Sequence, residues 1–175
     1  MKTDILTTFR QVTLYLLIVM TGLYAGLHFA GVMAPVQSKM TVTEYTSYWQ
    51  IVEGYMGQRM PIFGLIFLGL YALNILLFIN KWKTITFWII LLCLVLLLSD
   101  MFLTGKQQIP INQFIQSVDV KNLTSDQLAT LGGMKSQAEK NFGTRDILSI
   151  ASFALLSLTP FFLWRQNKKI ISQVD

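Results

Sequence analysis

The sequence predicts an all-α integral membrane protein, a four-helix bundle with short amphipathic helices in two outward loops. Three observations predict it. Hydrophobic residues make up 53% of the 175-residue chain and charged ones only 13%, a balance foreign to a soluble domain of this length. Apolar residues gather into four stretches, 12–34, 60–79, 85–104 and 147–164, each long enough to cross ~30 Å of hydrocarbon as a helix. Backbone groups in lipid must be satisfied within their own segment, which selects helices. No linker separates a second unit, so residues 1–175 are read as one domain.

The first stretch follows Lys2 and Arg10 and so resembles a secretion signal. Its apolar run exceeds the ~7–15 residues of a signal core, and no small-x-small cleavage site closes it. It is therefore read as a span. Gly22 and Gly26 lie four apart within it, a spacing that lets helices approach closely. Packing inside the bundle is the default reading, and homodimerisation through Gly22 and Gly26 is the other.

Cations near span ends set orientation. They are dense at Lys2 and Arg10, at Lys81 and Lys83, and at Arg165, Lys168 and Lys169, whereas the longer loops dilute theirs with Glu44, Glu53, Asp119, Asp126, Glu139 and Asp146. The expectation is a bacterial cytoplasmic membrane with both termini inside and both long loops outside. The same distribution accounts for the net charge of +5 without nucleic acid, since no basic stripe with interleaved aromatics appears.

The outward loops carry helical patterns. Tyr45, Tyr48, Trp49, Val52, Tyr55 and Met56 recur at helical spacing behind Thr41 and Thr43, which are candidate N-caps. Such a helix reads as an anchor at headgroup level or as a lid over the bundle. Pro61 is expected in the first turn of the second span, where it is tolerated. In the second loop, Pro110 suits a first helical turn, with Ile111, Phe114, Ile115 and Val118 on one side. Thr124 and Gln127 form a capping-box pattern, and Gly132–Gly133 is expected to interrupt or bend the helix that this box starts.

Ionisable groups inside spans need a partner or a purpose. His28 and Asp100 lie six and four residues from the outer ends of parallel spans, ~9 and ~6 Å deep at 1.5 Å per residue. They share a leaflet, with Arg59 and Arg145 at the outer starts of the other two spans. Two readings stand for each. His28 is a hydrogen-bonded packing histidine or a base presented by a carboxylate. Asp100 snorkels or binds a substrate. Arg59 and Arg145 anchor the interface or stabilise an anionic oxygen. Met33, Phe29, Phe63 and Phe102 are candidate walls of an apolar cavity, and Asn74 is read as interhelical glue.

The inventory narrows the chemistry. With one His and one Cys, a zinc site of ordinary ligand count is not expected, and a bis-His haem would need a ligand from a second chain. Cys93 is read as a small buried apolar residue. No phosphate-cradling glycine loop or nucleophile elbow is present. No metal and no cofactor are expected.

Gly22-Leu-Tyr-Ala-Gly26-Leu-His28 leading to Ala34-Pro35, then Ile109-Pro110-Ile111-Asn112, and Arg145 opening the fourth span, resemble the anthrone oxygenase-like family of small four-span membrane proteins. The resemblance runs over nearly the whole chain. It implies oxidation of an anthrone-type compound by molecular oxygen without a conventional metal or flavin. It also raises Asn112 and Arg145 to site residues: His28, Asn112 and Arg145 become the catalytic set, with Arg59 and Asp100 binding substrate. The leading expectation is thus a membrane enzyme that oxidises, or a protein that binds, a hydrophobic aromatic or quinol-like molecule. The alternative is a non-catalytic lipid- or quinone-binding accessory subunit. A small transporter is disfavoured by the lack of repeat symmetry and broken helix pairs.

Overall fold

A computed structural model describes residues 5–164. Lys2, Arg165, Lys168 and Lys169, on which the orientation partly rests, lie outside the described residues. The chain is all helical in outline: α1 (Ile5–Met33), a single turn α2 (Val36–Lys39), α3 (Val42–Phe78), α4 (Ile85–Leu103), α5 (Ile109–Ser117) and α6 (Ser125–Ser157). Helix resumes at 159–164. Four of these segments are long and apolar enough to cross a membrane. Their outer faces suit lipid, because Leu23, Ile62, Leu65, Leu76 and Val95 are all more than half exposed. A soluble bundle would turn such a stripe inward.

Local signals fix the helix starts. Thr41 caps α3 through a reciprocal pair: its hydroxyl accepts from the Glu44 amide, and the Glu44 carboxylate accepts from the Thr41 amide at 2.8 Å. Thr124 and Gln127 do the same for α6, as their spacing predicts. Pro110 occupies the first turn of α5. In the loop before α6, Asp119 receives the Asn122 side chain and the Lys121 amide, which hold its carboxyl below the usual range.

Two boundaries differ from the sequence reading. The aromatic segment and the second span are one helix of 37 residues, with Pro61 in its interior rather than in a first turn. Proline there withholds one amide from the Gly57 carbonyl, a loss that a long, tertiary-packed helix absorbs. Gly132–Gly133 likewise lies inside continuous α6. Gly132 faces Val42, whose Cγ2 would sit 3.8 Å from an added Cβ, an ordinary contact, so the approach of α6 to the start of α3 has room for alanine there.

The four long helices enclose two apolar cores. One lies within the bundle, around Leu14, Leu17, Phe67, Tyr71, Ile90, Cys93 and Leu156. The other lies under the outer extensions, around Tyr45, Ile111, Ile115, Val118, Leu131 and Ala138. Here the face predicted for α5 is the face that packs, and Trp49 stacks on Phe142 at 5.3 Å. Helix α1 packs most closely on α6. Gly22 lies at that contact, since a Cβ would come 2.9 Å from the Phe153 ring. Gly22 thus serves packing within the chain, while Gly26 faces open space.

Polar ties hold α3 toward both of its ends. At the inner end, the Asn74 amide donates to the Thr13 carbonyl at 3.2 Å and the Leu70 carbonyl at 2.9 Å, while Thr13 donates to Asn74 Oδ1. Arg10 adds a 2.7 Å bond to the Leu77 carbonyl. At the outer end, Gln50 donates to the Ile115 and Val118 carbonyls, both at 2.9 Å. Replacing Asn74 by Leu should lower stability by about 0.5–1.5 kcal/mol, the usual worth of a buried interhelical bond in a membrane protein. Thermal unfolding in detergent would show it, and an unchanged midpoint would mean that the tie is redundant.

Candidate functional site

A cavity of about 1160 Å³ is bounded by α1, α3, the α4–α5 junction and α6. This exceeds the ~300–1,000 Å³ common for small-molecule pockets. Most of its wall is apolar, including Met60, Phe63, Phe67, Leu97 and Phe142. Of the walls expected from sequence, only Phe63 lines it. Phe29, Met33 and Phe102 are each at least half exposed and face outward.

Three polar groupings enter this wall. The first is His28, whose Nδ1 lies 2.7 Å from Oδ1 of Asp146. An ionised carboxylate only accepts, so it selects the Nδ1–H form and leaves the Nε2 lone pair for another group. Among the described residues nothing bonds Nε2. The Tyr24 ring, one turn earlier on the same face of α1, meets the imidazole edge-on at 4.8 Å and limits how it can turn.

The second grouping is a buried triad. Tyr24 donates its phenol proton to Asp100 Oδ2. Arg145 donates from Nε to Asp100 Oδ1 at 2.6 Å and from Nη2 to the Tyr24 oxygen at 3.1 Å. The guanidinium also sits 5.8 Å from the Phe142 ring centre. Both carboxylate oxygens are bonded; the ion pair joins α4 to α6, and the Tyr24 hydroxyl ties α1 to both.

The third is a chain of amides on the outer wall. Asn112 donates to Glu53 Oε2 at 2.8 Å and accepts from Gln108 at 2.8 Å. Asn141 donates to Gln108 Oε1 at 3.5 Å and accepts from Gln137 at 3.0 Å. A π-helical turn, Thr104–Gln108, brings this about. Its extra residue per turn shifts the register between α4 and α5, so that Asp100, Gln108 and Asn112 all reach the cavity.

These contacts correct several expectations. His28 and Asp100 share the cavity wall but do not pair with each other. Each has found a partner on α6, because Arg145 and Asp146 lie side by side there and match one acid and one imidazole. Arg145 is committed to Asp100 and Tyr24 rather than presented for an oxyanion. Arg59 is absent from the cavity wall: it is exposed, with its guanidinium 5.7 Å from the Tyr55 ring centre. Asn112 does line the cavity. Tyr24, Glu53, Gln108 and Asp146 belong to the site, although sequence reasoning does not single them out. The Tyr24–His28 spacing of four and the adjacency of Asp146 to Arg145 are the signals that could have found two of them.

Among the described residues, no three His, Cys, Asp or Glu side chains gather as a metal-ligand group. No protein-family model, curated protein or solved structure matches this chain.

Proposed function

We propose that the cavity receives a flat hydrophobic molecule from the bilayer and that His28 takes a proton from it. The observation that carries this reading is the His28–Asp146 pair, set in an apolar wall with Nε2 unengaged. An imidazole held in one tautomer in a sheltered hollow is poised as a general base. Leu27 and Leu65, both within apolar spans, line the cavity and are each more than half exposed. The cavity edge is therefore continuous with the surface that lipid would cover, which supports entry of a membrane-dissolved compound.

The resemblance to anthrone oxygenase-like proteins supplies a reaction. Nε2 removes a proton from the ring methylene of an anthrone, and the carbanion adds dioxygen to form a carbon–oxygen bond. The resulting hydroperoxide loses its remaining ring C–H proton and breaks its O–O bond, releasing water and leaving the second carbonyl. Dioxygen is the oxidant. Asn112, held by Gln108 and Glu53, is placed to bond a substrate oxygen. We take the protein to be integral to a bacterial cytoplasmic membrane, with both termini inside and the cavity toward the outer face.

Arg145 favours a second reading. With its guanidinium tied into the triad, the cavity lacks the cation that would steady an enolate-like oxygen, and simple binding or carriage of a lipid or quinone needs no such group. Oxygen uptake by detergent-purified protein with an anthrone decides between them. Uptake well above that of protein-free micelles, with water and an anthraquinone as products, supports the enzyme. Background uptake together with a quinone or lipid recovered by extraction supports the carrier. Background uptake and no retained molecule removes both.

A further inference from the structure

Glu53 is the acid on the cavity wall whose only part in the chemistry proposed so far is to hold Asn112. Its carboxylate meets a neutral amide, and no Lys, Arg or His among the described residues forms an ion pair with it. The other acids on the wall are matched: Asp100 by Arg145, Asp146 by His28, and Glu139 by Lys135 at 2.7 Å. Glu53 is half-buried, and a partly desolvated carboxylate without a counter-charge carries a modest cost. A bound cation would offset that cost. Trp49, one turn before Glu53 on the same helix, lines the cavity beside it, and ring faces attract cations.

The helices give the spacing. Tyr24 packs against Phe63 and Phe67 at 6.1 and 5.9 Å, which sets the level of α1 against antiparallel α3. Glu53 precedes the point midway between Phe63 and Phe67 by twelve residues and His28 follows Tyr24 by four. At 1.5 Å per residue, the two groups stand about 12 Å apart along the bundle. That is the length of a fused ring system with a short arm.

We propose that Glu53, with Trp49, forms a subsite for a protonated amine, so that the ligand is a lipophilic amine whose ring system reaches toward His28. The proposal rests on the cavity being the ligand site and adds the chemical class of what fills it. A neutral alcohol would gain a hydrogen bond but leave the charge unmet, and a carboxylate would be repelled.

The test uses three probes that share a naphthalene ring and a short alkyl chain, ending in a primary ammonium, a hydroxyl or a carboxylate. Binding is measured by calorimetry in uncharged detergent. Wild type should bind the amine about tenfold or more tighter than the alcohol, the worth of a charged hydrogen bond over a neutral one, and the carboxylate weakest. Glu53→Gln should bring amine and alcohol to within about twofold, with an unfolding midpoint in detergent near that of wild type as the sign of an intact fold. Glu53→Asp should keep the preference, and so should His28→Ala. Alcohol binding without amine preference in wild type, or a preference that survives Glu53→Gln, overturns the amine subsite while leaving the cavity reading in place. Failure of all three probes to bind overturns both.

Discussion

Asp100→Leu should cost the protein about 3–5 kcal/mol, the usual penalty for stripping one member from a buried ion pair. The loss is not that of a contact alone. Arg145 would keep its charge in a nearly dry site, and the Tyr24 hydroxyl would lose its acceptor. Replacing both, as Asp100→Leu with Arg145→Leu, should recover most of the loss, because an apolar pair of similar size needs no desolvated charge. Thermal unfolding in detergent, followed by circular dichroism, would place the single variant well below wild type and the double variant between them. A single variant that melts with wild type would show that the triad does not hold α1, α4 and α6 together. A double variant as weak as the single would show that the residual charge is not the cause.

Asp146→Asn should nearly abolish turnover of an anthrone while leaving stability close to that of wild type. The amide offers an N–H as well as an oxygen toward Nδ1, so the imidazole is free to place its proton on Nε2, where a base must be empty. Loss of a positioned base costs about 10²–10⁴-fold in rate, and Asp146→Asn should approach the loss seen in His28→Ala. The two variants should still bind a ring compound, since the apolar wall is untouched. Oxygen-uptake rates at saturating substrate would check this. A wild-type rate in Asp146→Asn would reduce the pair to a packing contact.

The bundle is legible in the sequence because hydropathy over about twenty residues is a signal that tertiary structure seldom overrides in lipid. The helix lengths are not, because α3 and α6 continue past the bilayer on polar sequence. Thr41 and Thr124 announce where those helices start, but Pro61 reads as a helix start and Gly132–Gly133 as a break although packing carries the helix through both. The site is half legible. Asn112 enters only through the family resemblance, whereas His28, Asp100 and Arg145 stand out as ionisable residues in or beside apolar runs. Their pairing does not, because adjacent residues on α6 serve different neighbours, and which neighbour depends on helix rotation. The π turn at Thr104–Gln108 is invisible to periodicity, yet it decides that Asn112 faces the cavity. Glu53 reads as loop charge as long as its segment is taken for a separate surface helix.

His28 is the sole histidine of the chain, which makes one measurement decisive for the site. Nitrogen NMR of tag-free protein labelled at histidine would give the two signals of a single imidazole. The expected spectrum is that of the neutral Nδ1–H form, with the Nε2 signal shifting when an anthrone is added to saturation. A ring protonated at Nε2, with neither signal moved by the ligand, would contradict the assignment of His28 as the base.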